Sequence, residues 1–215
     1  MSKLQGGPVP GRTRWRRFAG VMAPAAVAAG AIVFGIANGA IAASFSVSGT
    51  TFKVSADKIV ATGFVQYGGL ATTPNLDPKT GMSNGTTTTR PVAVAGMKTA
   101  DITKMCQSVR VPGTPWTLLL TAGDKGTPAS ATDLMFDMTD MTSSSAVFTN
   151  INIGQDASTL TGGPVDTHGA PGGFAQQATN VTLNDVKQVA WRASAGTFNL
   201  NGLEMHIKTD GTECF

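Results

Sequence analysis

The feature that most constrains this fold is the alternation of residue character along the chain after residue 44. It is clearest at 147–153, where Val147, Thr149, Ile151 and Ile153 occupy every second position. Similar runs lie at 59–67, 91–111, 116–120, 134–141 and 181–207. Because successive side chains of a strand point to opposite faces, a period of two indicates strands with one buried face. The sequence therefore predicts a mainly β fold.

The composition also favours strands over surface helices. Charged residues make up only 13% of the chain, whereas Gly, Thr, Ser, Ala and Asn are abundant. Surface helices usually carry Glu and Lys, so this balance favours short strands joined by turns. Residues 44–215 are enough for one domain with its own core. We expect a single sandwich or a β-roll/solenoid-like domain, with exposed Pro- and Gly-containing loops at 71–90 and 161–173.

The N-terminal segment has a different character. Four arginines, Arg12, Arg14, Arg16 and Arg17, precede an uncharged, Ala- and Gly-rich run at 18–43. A cationic start followed by apolar residues directs a chain to a membrane and keeps the basic end in the cytoplasm. The sequence thus predicts a basic cytoplasmic region at 1–17, one hydrophobic export or anchor helix at 18–43, and an extracytoplasmic β-rich domain at 44–215.

Two fates of the hydrophobic segment stay open. Ala40-Ile41-Ala42 is a small-x-small site, so cleavage after Ala42 would release a secreted protein. The run of about 26 residues is also long enough to span a bilayer as an anchor. Small residues recur at every fourth position and would let a second helix approach closely: Ala31, Gly35, Gly39 and Ala43. Both fates place the β-rich domain outside the cytoplasm.

The charge distribution argues against nucleic-acid binding. The chain carries a formal net charge of +3, but five of its sixteen Lys and Arg residues precede Phe18. The remaining eleven face thirteen acidic residues, so the predicted exported domain has a net charge of −2. A nucleic-acid-binding domain normally presents a basic excess. We therefore expect no nucleic-acid partner.

The two cysteines, Cys106 and Cys214, predict a disulfide. Outside the cytoplasm, an oxidising compartment makes pairing of two cysteines the default. Such a bridge would hold the C-terminus against the middle of the chain. Unconnected thiols are the alternative.

One motif resembles a catalytic site. Gly81-Met82-Ser83-Asn84-Gly85 matches the G-x-S-x-G pattern of serine hydrolases, and Asp166 and His168 follow downstream. The serine of that motif must lie between a strand and a helix, yet the flanks of Ser83 indicate neither. We therefore expect Ser83, Asp166 and His168 not to form a catalytic triad.

The sequence also predicts no metal site and no cofactor. The only two histidines, His168 and His206, are not clustered. The aspartates at 133, 137 and 140 do not have the spacing of a calcium loop.

Four stretches of the sequence resemble a known family: Phe52–Lys58, Gly63–Gly69, Phe148–Ala157 and Glu213–Phe215. They resemble an uncharacterised family of exported actinobacterial proteins, some members of which carry the label "cholesterol esterase". The resemblance spans nearly the whole chain and implies a location in the cell envelope or outside the cell. It supplies no established site residue.

The expected function is that of a non-enzymatic, exported cell-envelope protein. It would be either a self-assembling structural component or a module that binds an apolar ligand such as a lipid. The membrane, reached through the N-terminal helix, a second copy of the chain and a lipid are the expected partners. The alternative is a secreted esterase acting on lipid or sterol esters.

Overall fold

The computed structural model describes residues 48–215. The predicted basic region, hydrophobic segment and cleavage after Ala42 lie outside the described residues, as do Ala31, Gly35, Gly39 and Ala43 of the predicted helix-packing face. Among residues 48–215, no helix is long and apolar enough to cross a membrane.

Strands dominate the described residues, which confirms the predicted mainly β class. The ten strands are β1 (Phe52–Leu76), β2 (Ser83–Thr103), β3 (Met105–Arg110), β4 (Thr117–Ala122), β5 (Ala129–Thr142), β6 (Ser145–Thr149), β7 (Asn152–Asp156), β8 (Phe174–Ser194), β9 (Thr197–Asn199) and β10 (Glu204–Lys208). One 3₁₀ turn, Ala157–Thr159, follows β7. All strand pairings are antiparallel and belong to one sheet.

The strands form four long segments that pair in chain order and close into a ring. These segments are 52–76, 83–110, 117–156 and 174–208, and each pairs with the next along the chain. The ring closes because β8 pairs with β5, β6 and β7 along one edge and with β1 along the other. The described residues thus form a single antiparallel sheet closed on itself, which is neither the sandwich nor the β-roll/solenoid-like domain that the sequence predicted.

The ring closes with a large shift in register. Tyr67 lies opposite Val94, which lies opposite Asp137, which in turn lies opposite Arg192. Ala190, two residues before Arg192 on β8, lies opposite Phe52 at the start of β1. A path that follows opposite residues once around the ring therefore ends about 15 residues away from Tyr67, where it began. Closing a sheet into a barrel requires such a stagger and tilts the strands.

Single residues with positive φ bend the segments. Lys104 (φ 48°) separates β2 from β3, and its amide donates a hydrogen bond to the carbonyl of Gly123 (φ 73°) on the neighbouring segment. Asp133 and Asp185, both at φ 49°, interrupt β5 and β8 in the same way. Local departures of this kind increase strand twist and help long strands to coil.

The prediction of an exposed loop at 71–90 was wrong. β1 and β2 continue through this stretch as a two-stranded arm that turns at 77–82. Threonine is β-branched and favours strands, and its hydroxyls pair across the arm, as between Thr72 and Thr89 at 3.2 Å. The Pro- and Gly-containing loop at 161–173 is present as predicted.

The inner face of the ring forms the main core. Its largest fully buried side chains include Ile102, Leu134, Val181, Leu183 and Val186. On the outer face, the loop at 160–173 covers Val65 and Tyr67 and makes a smaller cluster with Leu160.

The predicted Cys106–Cys214 disulfide is confirmed, with a Cα–Cα distance of 5.8 Å. Next to it, the Cys214 amide donates to the Ser108 hydroxyl at 3.1 Å. Lys53 donates to the Phe215 carbonyl at 2.8 Å and pairs with Glu213. The C-terminal tail thus covers the outer face of β1 and β3.

Candidate functional site

The structure does not bring the predicted catalytic residues together. Ser83 begins β2 at the end of the arm, where its hydroxyl accepts a hydrogen bond from the Gly85 amide at 3.2 Å. The arm tip packs so closely against the β3–β4 turn that a Cβ atom at Gly81 would overlap the Pro112 carbonyl. No hydrogen bond within residues 48–215 joins Ser83 to Asp166 or His168.

Asp166 and His168 instead lie in the loop at 160–173, where both are exposed. The loop packs so closely on the middle of β1 that a Cβ atom at Gly169 would overlap the Tyr67 ring. Ser83 pairs with Leu76, nine residues further along β1. This separation corresponds to about 30 Å of extended strand. A triad needs contacts of hydrogen-bond length.

The described residues include no group of three or more His, Cys, Asp or Glu side chains that could hold a metal ion. His206 lies on β10, 3.8 Å from a carboxylate oxygen of Glu204. Asp137 is committed to an ion pair with Arg192. These placements give no donor set for a metal.

That ion pair is the most buried charged group among residues 48–215. The Asp137 carboxylate accepts hydrogen bonds from Nε and Nη2 of Arg192 at 2.8 and 3.1 Å. Tyr67 lies in the same register row, and its burial, together with the nearby Asp137 charge, raises the pKa of its hydroxyl. A phenol with a raised pKa stays protonated at neutral pH. The cluster therefore holds the outer layer in place and offers no base or nucleophile.

An apolar cavity opens on the inner face, between the start of β1 and the connection of β8 to β9. Its volume is about 280 Å³, and it is lined by Phe52, Gln107, Leu134, Ala193, Ser194, Ala195 and Phe198. Leu134 is 1% exposed, and Phe52 and Phe198 pack against the main core. We call this cavity the apolar cleft. Barrel mouths are common sites for ligands.

A bare apolar shelf extends the inner face next to the cleft. It consists of two register rows that cross β3, β4 and β10. The first row continues from Phe52 through Val109 and Leu118 to Ile207. The second continues from Gln107 through Leu120 to Met205. Met205 and Ile207 are both 58% exposed. The C-terminal tail lies on the opposite face of β3 and leaves the shelf uncovered.

Few polar groups accompany this apolar surface. Gln107 and Ser194 line the cleft. Gln188 on β8 lies in the same register row as Gln107, with Val54 of β1 between them, and it also faces inward. Its buried Nε2 has no hydrogen-bond partner among the described residues. A buried donor without a partner is costly.

Sequence reasoning missed the cleft and the shelf. The alternation at 203–207 was recognised, but not that its apolar residues stay exposed. No local signal identifies this exposure, because it depends on pairings between strands far apart in sequence.

A protein-family model described as a family of unknown function (DUF6230) matches residues 48–215. This match confirms the predicted membership of an uncharacterised family and covers all ten strands and both cysteines. No curated protein and no solved structure shows significant similarity to the chain. The chain belongs to this family of unknown function, DUF6230.

Proposed function

We propose that this protein is a non-enzymatic, exported actinobacterial envelope protein that holds a lipid acyl chain in the apolar cleft. The apolar cleft carries the proposal, because it joins an open apolar cavity to a bare shelf on the same face. Covering apolar surface gains about 25 cal/mol per Å². An apolar occupant is therefore favoured there.

The size and lining of the cleft favour an acyl chain over a folded partner segment. Its volume of about 280 Å³ is close to the lower bound of small-molecule sites and too small for a helix. Gln107 supplies hydrogen-bonding groups that would orient an ester or carboxyl end. The shelf would then contact the rest of the chain.

The test uses the full chain in phosphatidylcholine vesicles that contain a fatty acid with a photoreactive diazirine. After irradiation, mass spectrometry maps the labelled peptides. We expect adducts on peptides containing Phe52, Phe198 or Ile207. Ile207→Lys should reduce this labelling at least fivefold, because a cation on the shelf disfavours an apolar occupant.

The matched control is Val147→Lys, because Val147 is also 58% exposed but lies on the outer face of β6. It should leave labelling of the cleft unchanged. Equal labelling of wild type and Ile207→Lys, or labelling confined to residues 1–47, would contradict the proposal.

Self-assembly is a second candidate, favoured by the edge of the sheet at β10. Within the described residues β10 pairs only with β4, so one row of its backbone groups is free. Exposed edges of this kind can pair with another chain. Light scattering from the full chain in vesicle-free buffer would show assemblies that Ile207→Lys dissociates.

The esterase alternative depends on the G-x-S-x-G motif alone. It is tested by hydrolysis of a cholesteryl ester and of a short acyl ester. Turnover by the wild-type chain that Ser83→Ala abolishes would replace the lipid-binding proposal with an enzymatic one.

A further inference from the structure

A polar groove lies on the outer face, where β6 meets β7. Its volume is about 660 Å³, and an adjoining cavity of about 540 Å³ shares Asn152 and Gln177 with it. Amide and hydroxyl side chains dominate the lining, Lys98 is the only charged side chain in either cavity, and neither is lined by a carboxylate. We call the two together the amide groove.

Two glutamines give the amide groove defined hydrogen-bonding groups. The Gln177 carbonyl oxygen accepts hydrogen bonds from the amides of Thr161 and Gly162, both at 3.0 Å, so its orientation is fixed and its NH₂ group stays available. Gln155 donates through Nε2 to Thr159. The Gln155 Oε1 is buried and lacks a hydrogen-bond partner among the described residues. The groove thus contains a fixed donor and an unsatisfied acceptor.

A row of five threonines and one asparagine, which we call the threonine row, runs across the sheet into the amide groove. Its six members lie directly opposite one another on six neighbouring strands and are all exposed: Thr197, Thr132, Thr99, Thr62, Asn180 and Thr149. At the usual strand spacing the row spans about 24 Å. Thr62 and Asn180 also line the groove. The threonine row therefore continues the groove around the outer face of the closed sheet.

The chemistry of these groups matches a neutral sugar chain. Hydroxyl and amide groups donate and accept hydrogen bonds at once, as sugar hydroxyls do. Most of these side chains stand on paired strands, which hold binding groups more rigidly than loops do.

We propose that the amide groove binds a neutral glycan chain, with the threonine row contacting further sugar units. Threonine is common on strands because of its β propensity. The threonine row alone is therefore weak evidence for a binding site. The groove volume and the hydrogen-bonding groups of Gln155 and Gln177 do not depend on strand propensity, and they are the basis of the proposal. The site lies on the face opposite to the apolar cleft, so it does not depend on lipid binding.

The test is affinity gel electrophoresis of the full chain in gels that contain a soluble glucan, a galactomannan or an arabinogalactan. Heparin and polygalacturonate serve as charged probes. We expect at least one neutral polysaccharide to retard the wild-type chain. Gln177→Glu should raise the dissociation constant at least tenfold, because it keeps the acceptor for Thr161 and Gly162 but removes the NH₂ donor.

The matched control is Asn84→Asp at the arm tip. Its side-chain oxygen accepts from Thr86, so the variant adds the same charge without losing these bonds. Asn84→Asp and Ile207→Lys should both bind glycan like the wild type, and thermal melting checks that all variants fold. Retardation by charged probes alone, by no probe, or equally for wild type and Gln177→Glu would overturn the proposal.

Discussion

Two regions of the same closed sheet leave opposite faces bare. At the β3–β4–β10 end, the disulfide-linked tail covers the outer face of β3, and the apolar inner face is exposed at Met205 and Ile207. In the middle of the sheet the inner face is the main core, and the outer face carries the threonine row. The difference teaches that the covering of each face, rather than the strand pattern, sets the chemistry available to a ligand.

Breaking the cover at the first region should have the largest effect. Changing both cysteines, Cys106→Ser with Cys214→Ser, removes a link between residues 108 positions apart. The chain-entropy model assigns about 5 kcal/mol of unfolding free energy to a loop of this size. Denaturant unfolding of wild type and variant measures the loss. A loss below about 1 kcal/mol would show that the tail is held by other contacts.

The contrast between filled and bare inner face can be measured with two aliphatic residues. Leu183 is 1% exposed in the core, so Leu183→Ala should lower the unfolding free energy by about 3 kcal/mol. Ile207→Ala, at 58% exposure, should change it by less than about 0.5 kcal/mol. Equal losses in denaturant unfolding would mean that the shelf is covered in solution.

The outer layer offers a similar contrast between two ion pairs. Asp137→Asn leaves Arg192 without its buried partner and should cost about 2 kcal/mol, a buried-pair value reduced because Arg192 is partly exposed. Asp57→Asn breaks the exposed pair with Lys104 and should give no measurable change. Thermal unfolding of both variants distinguishes them, and a stable Asp137→Asn would remove the ion pair from the account.

The smallest effect is expected in the titration of Tyr67. It is the only tyrosine of the chain, so tyrosinate absorbance reports on it alone. Burial first, then the Asp137 charge, should raise its pKa above 10.0, and Asp137→Asn should lower it again. Because the pKa of Tyr67 is higher in the folded than in the unfolded chain, the protonated hydroxyl contributes to the free energy of unfolding. This contribution is complete below pH 10 and declines as pH rises through the folded pKa. An ordinary pKa would mean that the loop at 160–173 leaves Tyr67 open to water.

The sequence predicted the strand class, the disulfide and the family from local signals. It failed where the answer depends on distant pairings. Val181 and Leu183 alternate in the same way as Met205 and Ile207, yet the first pair is 1% exposed and the second 58%. A period of two identifies two faces of a strand but not which face is covered.

The apolar shelf and the threonine row escaped sequence reasoning for the same physical reason. Thr62, Thr99 and Thr132 become neighbours only through the register of three strands. The arm at 71–90 was missed because proline and glycine were weighted above the strand preference of its threonines. Ser83 matched a motif without the strand–turn–helix context that the motif needs.

The central claim is that two bare faces of one sheet bind chemically different ligands. Its most direct test measures fatty-acid labelling and neutral-glycan retardation on the same three proteins: wild type, Ile207→Lys and Gln177→Glu. The account predicts that Ile207→Lys loses only fatty-acid labelling and Gln177→Glu loses only glycan retardation. Loss of both activities together in either variant, or loss of neither in both, would contradict it.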